Sequence, residues 1–201
     1  MHKCRATRSC LYRRRARLSR GVRTRKVTAA NVARLARRRE PENRAFSERL
    51  KGRDVDHEEV DRIVHGLYRR AREEFDCAAC ANCCKSISPR LDEGDIARLA
   101  EGLRTTPDRV IADYLRKNDE HGGWSFKRMP CPLLKGNRCT CYEHRPRDCA
   151  AYPHLQKDRF IGRVSNTVAN CSICPVVYTV YERLKEEYSL DTEDTKDTMQ
   201  A

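Results

Sequence analysis

Apolar residues make up only 39% of this 201-residue chain and aromatics only 6%, with a single Trp. That is a modest supply for a wholly folded protein, so part of the chain is expected to stay outside any core. No apolar run approaches the roughly 18 residues of a membrane span, and no membrane partner is expected. The N-terminus also lacks the apolar stretch of a secretory signal, from which we expect a soluble cytoplasmic protein. In a reducing compartment twelve cysteines read as metal ligands or redox thiols. A disulfide framework returns as the reading only if an export signal lies upstream. No G-x-G-x-x-G follows a strand and no other cofactor loop is recognisable, which weighs against an enzyme.

Acidic residues are missing from one region altogether: residues 1–39 hold fifteen Lys or Arg and no Asp or Glu. The remainder carries 27 basic against 29 acidic residues, so the whole formal charge of +13 resides in this segment. With basic runs at Arg13 to Arg17 and Arg37 to Arg39, residues 1–55 are expected to form a disordered extension, helix being open to it only from Thr28. Three readings compete: a polyanion-binding arm, an organellar transit peptide, or a segment translated upstream of the true start, the last being the expectation. As an arm it would bind polyanions weakly and through charge alone, each phosphate contact adding about −0.9 to the log-log salt slope on duplex DNA. Cys4 and Cys10 lie here and are not expected to be ligands.

What is abundant is cysteine, above all in C-A-A-C-A-N-C-C from Cys77 to Cys84. Cys77, Cys80 and Cys83, spaced by two residues, let one tight loop turn three sulfurs toward a common point, as zinc and iron–sulfur sites require. Cys84 follows directly. In an extended backbone adjacent side chains point to opposite sides, so Cys83 and Cys84 are expected to serve two neighbouring metals, or one metal and one redox thiol. Further sulfurs would come from Cys131, Cys139, Cys149 and Cys174, with Cys141 and Cys171 as extra thiols.

The succession of C-A-A-C-A-N-C-C, P-C-P-L-L-K-G-N-R-C, R-P-R-D-C-A-A-Y-P and C-P-V-V-Y resembles the CxxCxxCC family, the YkgJ-like cysteine-cluster proteins described as zinc- or iron-chelating domains. The resemblance covers about residues 57–188 and implies metal binding by Cys77, Cys80, Cys83, Cys84, Cys131, Cys139, Cys149 and Cys174. It also implies a distant relation to flagellin lysine N-methylases, longer proteins whose additional sequence this chain lacks. Two positions depart from the family pattern: Ala150 stands where relatives carry arginine, and Cys141 where they carry an aliphatic residue.

Around the cysteines the periodic stretches are helical, and we expect a mainly α, small single domain of short helices with a minor hairpin over residues 56–188. Val60, Ile63, Val64, Leu67 and Ala71 fall on one helical face behind an Asp56–Glu59 capping box. Ile96, Leu99 and Ala100 mark a helix over Asp92 to Glu101, ended with the help of Gly102. Thr106-Pro107 opens another through about Lys117. W-S-F-K-R reads as a strand and K-G-N-R as the turn into a second one, a hairpin presenting Cys131 and Cys139 together. Arg145-Pro146 opens a helical turn carrying Cys149. The last helix starts at Pro175, with Val177, Val180, Tyr181, Leu184 and Tyr188 on one stripe. Residues 189–201 are acidic and expected to fray. His65 is expected to pack rather than ligate, and His154 is a better histidine candidate than His144.

Three functions remain open: a metal-binding protein with a redox, metal-handling or sensing role, a metal-dependent protein-modifying enzyme related to the lysine N-methylases, and a structural metal domain for a protein partner. Polar non-ligand groups beside the thiols would favour the enzyme, with Lys85, Arg145, Arg147 and Tyr152 as candidates. The C-x-x-C-x-x-C run followed by a distant Cys174-Pro175 is close to bacterial ferredoxin grammar, which favours an iron–sulfur cluster over zinc. Cys77, Cys80, Cys83 and Cys174 would then hold one centre, and Cys84, Cys131, Cys139 and Cys149 a second site or a thiol reserve.

Overall fold

The computed structural model describes residues 26–52, 55–120 and 122–190. In chain order the helices are α1 (Val32–Gly52), α2 (His57–Glu73), α3 (Cys77–Cys80), α4 (Asn82–Ser86), α5 (Glu93–Leu103) and α6 (Pro107–Tyr114). After two antiparallel hairpins, β1 (Leu115–Lys117) with β2 (Trp124–Phe126) and β3 (Leu134–Lys135) with β4 (Arg138–Cys139), come α7 (Arg147–Ala151), α8 (Phe160–Asn170) and α9 (Pro175–Leu190). The protein is mainly α, as expected. Among the described residues no helix is long and apolar enough to cross a membrane.

Two hydrophobic cores organise these elements. The first gathers α1, α2, α8 and α9 around Leu50, Val64, Leu67, Phe160, Val164, Val177, Tyr181 and Leu184. Asp56 caps α2 by accepting from the Glu58 and Glu59 amides, which is one half of the expected capping box. Asp61, one turn into α2, reaches across to accept from the Arg159 amide at 2.7 Å and the Phe160 amide at 2.8 Å. It thereby satisfies two of the donors at the start of α8, whose N-cap residue makes no side-chain cap hydrogen bond.

Over residues 26–52, the described part of the extension expected to be disordered, the chain instead folds into α1, led in from Thr28, the point from which helix is open to it. Thr28 and Asn31 start it by a reciprocal exchange, the Thr28 amide donating to Asn31 Oδ1 at 2.9 Å and the Asn31 amide to Thr28 Oγ1 at 3.2 Å. Val32, Ala36, Asn43, Phe46, Ser47 and Leu50 then form its buried face. Its many arginines lie on the other faces, and tertiary packing outweighs a composition that by itself predicts disorder. Lys185 of α9, buried, donates to Glu42 Oε1 and Asn43 Oδ1, both at 2.7 Å, and the Tyr181 hydroxyl donates to the Asn43 carbonyl at 3.0 Å. The run Arg13 to Arg17, Cys4 and Cys10 lie outside the described residues, as do residues 191–201 of the acidic tail.

The second core is smaller, built on Leu91, Ile96, Leu99, Val110, Leu115, Phe126 and Leu133. Asp92 and Asp95 form a full capping box at the start of α5. Gly102 lies inside α5, where a Cβ would stand 2.6 Å from Cys141 Sγ and 2.7 Å from the His144 side chain. Its role is close approach rather than termination, which falls to Arg104 in the left-handed region at φ 54°. The helix expected to run to Lys117 stops at Tyr114, because Leu115–Lys117 pairs with Trp124–Phe126 across a turn containing Gly122 and Gly123 at positive φ. The strand read at Trp124 therefore pairs backward, and a separate hairpin, β3 with β4, carries Cys139 opposite Leu134.

Leu50 is 1% exposed at the heart of the first core. Leu50→Ala should lower the unfolding free energy by about 2–5 kcal/mol in urea titrations. A loss below about 0.5 kcal/mol, the range of ordinary surface substitutions, would mean that α1 does not belong to the fold.

Candidate metal centre

The cysteine run folds as two single turns joined by a kink. Asp76 accepts from the Ala78 amide at 2.9 Å and the Ala79 amide at 3.2 Å, winding Cys77–Cys80 into α3. Ala81 then takes a left-handed conformation, φ 51°, and Asn82–Ser86 starts a new turn, α4. The extended backbone expected at Cys83 and Cys84 is thus corrected. Once Asp76 has nucleated the first turn and Ala81 has redirected the chain, these residues are helical and their sulfurs lie 4.0 Å apart.

Polar contacts fasten this loop to both cores. Asn82 donates to the Ala29 carbonyl at 2.9 Å and the Ile173 carbonyl at 3.1 Å, so it holds α4 against the segment leading into Cys174. On the other side the Cys131 amide donates to the Cys84 carbonyl at 2.8 Å, and Asn137 in the β3–β4 turn donates to the Ala79 carbonyl at 3.0 Å. Cys149 sits on α7, whose start is anchored by Arg147. The Arg147 amide donates to Asp95 Oδ1 at 2.9 Å, and its guanidinium pairs with Asp92.

These four segments meet at one cavity of about 460 Å³, and Cys77, Cys80, Cys83, Cys84, Cys131, Cys139, Cys149 and Cys174 all border it. Cys141 and Cys171 are buried in the second and first cores respectively and do not line it. Cys174 belongs to the first core while Cys131 and Cys139 pack against the second. Phe75 and Val176 supply wall from one side, Phe126 and Leu133 from the other. Sequence reasoning missed these apolar walls, because they come from residues whose periodicity reports only on their own helix or strand. Of the candidate polar groups, Arg145 and Tyr152 line the cavity, whereas Lys85 and Arg147 do not. His154 lines it, while His65 and His144 stand elsewhere.

Burial dominates the electrostatics. It pushes the Cys131 and Cys174 thiols up to about 11 and the Cys149 thiol up to about 12. The hydrogen bond that Cys83 and Cys84 share, with burial, raises the Cys83 thiol, while the same bond draws the Cys84 thiol down. After burial, the charges felt at Cys174 include Cys77 and Cys80, and those felt at Cys149 are led by Cys84, Cys131 and Cys139.

Soft sulfur donors from four segments suit zinc or iron chemically. Among the described residues no three of the donors are drawn in to metal-holding separation. Ligation therefore calls for side-chain rotation and for loss of the thiol protons. The model of the CxxCxxCC family, described as "Putative zinc- or iron-chelating domain", matches residues 76–175, about half of the chain and the whole span from the Asp76 cap to Pro175. No curated protein and no solved structure matches the chain.

The raised thiols set the sign of a pH dependence. At neutral pH Cys131, Cys149 and Cys174 are protonated in the metal-free protein, so each that ligates must release a proton, and metal affinity must fall as pH falls. Zinc titrations against a competing chelator should show the logarithm of affinity climbing with pH between about 6 and 8, by about one unit per pH unit for each proton released. A flat profile would mean that these thiols do not ligate.

Proposed function

The chain belongs to the CxxCxxCC family, and on that premise we propose that its eight-thiol cavity is a zinc or iron centre made of two adjacent four-cysteine sites. Cys77, Cys80, Cys83 and Cys174 hold one site, and Cys84, Cys131, Cys139 and Cys149 the other. The observation that carries this reading is that cysteines from four separate segments border a single cavity, with the Cys131 amide bonded to the Cys84 carbonyl and Asn82 bonded beside Cys174. A closed four-thiolate zinc ion needs little free space. A cavity of about 460 Å³ beside eight thiols has room for a bulkier iron–sulfur cluster, which we take as the occupant of the first site. Such a cluster supplies one-electron chemistry or redox sensing.

The protein-modifying reading draws less support, because Arg145 and Tyr152, the two expected polar candidates that line the cavity, are engaged in the fold. Arg145 donates to the Tyr142 carbonyl at 2.7 Å and stacks on the Tyr142 ring, and the Tyr152 hydroxyl bonds Asn170 at 3.3 Å.

Anaerobic purification followed by metal, acid-labile sulfide and visible-absorption analysis tests the proposal. Cys80→Ser should bleach the visible charge-transfer absorption and remove labile sulfide, while Cys139→Ser should leave both largely in place. Stoichiometric zinc without sulfide would replace iron by zinc and keep the metal centre. Absence of any bound metal in the full chain would overturn the proposal.

A further inference from the structure

Among the described residues, two histidines bury a ring nitrogen without a hydrogen-bond partner, His65 at Nε2 and His154 at Nδ1. Only the second borders the thiol cavity. Its surroundings hold it in place rather than leave it loose. His154 takes a left-handed backbone, φ 63°, which non-glycine residues adopt only when the surroundings enforce it. Its amide donates to the Ala151 carbonyl at 2.8 Å, and its carbonyl accepts from Arg163 Nη1 at 2.9 Å. Its ring stands edge-on to Tyr152, with centroids 6.0 Å apart.

Buried polar atoms are almost always paired, and an unpaired one at the wall of a soft-donor cavity points to a partner that belongs in the cavity. The hydrogen bond to Ala151 ties His154 directly to α7, the turn that carries Cys149. Asp148, next to Cys149, is among the charges felt at the imidazole. Burial, reinforced by Lys157, lowers the His154 pKa, so the ring is neutral at ordinary pH and keeps a lone pair for donation.

We infer that His154, through Nδ1, is a nitrogen ligand of the site that contains Cys149. This rests on the metal-centre proposal and alters one of its terms, since nine donors then border the cavity and one of the two sites is a mixed sulfur–nitrogen site. Nitrogen in place of one thiolate makes a site less anionic and leaves one thiol of the second set free to exchange, unlike a closed four-thiolate site.

X-ray absorption on the full chain loaded with zinc alone reads this directly. The unaltered protein should show nitrogen at about 2.0–2.1 Å beside sulfur at about 2.3 Å. His154→Asn, which tolerates the left-handed backbone, should leave a sulfur-only shell, while His65→Asn should keep the mixed one. A sulfur-only shell in the unaltered protein, or a nitrogen that persists in His154→Asn, would overturn the inference and leave the metal centre standing. Failure of the chain to bind zinc or any other metal would overturn both.

Discussion

Between Cys80 and Asn82 the chain turns through a buried alanine in the left-handed region, and the arrangement of thiols depends on that turn. Left-handed backbone costs an L-residue about 1–2 kcal/mol, and a continuous helix would avoid the cost. A continuous helix, however, would carry Cys77, Cys80, Cys83 and Cys84 along one rod, with rise of about 1.5 Å per residue, and would reach only one neighbour. The kink at Ala81 instead yields two short turns, so that the Asn82 amide faces the approach to Cys174 while the Cys84 carbonyl faces Cys131. Burial of Ala81 and the hydrogen bonds on either side of it offset the strain.

From this turn follows the division of the molecule. One core is built from four helices and the other from two helices and a hairpin, and each brings cysteines to the shared cavity. A metal shared across that cavity would link the elements of the two cores, with binding energy entering directly as folding energy. The raised thiols point the same way. They are stable while protonated and become anionic once a cation compensates the charge.

The sequence made the donors legible and the scaffold partly so. The eight cavity cysteines stand out through spacing and family resemblance, and the periodic faces of α2, α5, α6 and α9 could be read from their apolar residues. α1 was hidden because its buried face is sparse, broken by Pro41 and a long gap before Asn43 and Phe46, and set among arginines. α8 carries no local start signal, because the carboxylate that caps it, Asp61, lies nearly a hundred residues earlier. β1 could not be told from the end of α6, since three residues carry too little period to separate strand from helix. The left-handed Ala81 left no trace at all, for neither glycine nor asparagine marks it.

The central claim is that the eight cavity thiols act as one metal-linked set, distinct from Cys141 and Cys171, which lie buried in the cores. Timed alkylation of the native full chain, mapped cysteine by cysteine by mass spectrometry before and after chelation, tests it most directly. The account predicts that chelation releases Cys77, Cys80, Cys83, Cys84, Cys131, Cys139, Cys149 and Cys174 from protection, while Cys141 and Cys171 keep their slow rates. Unchanged rates at those eight positions on metal removal would contradict it.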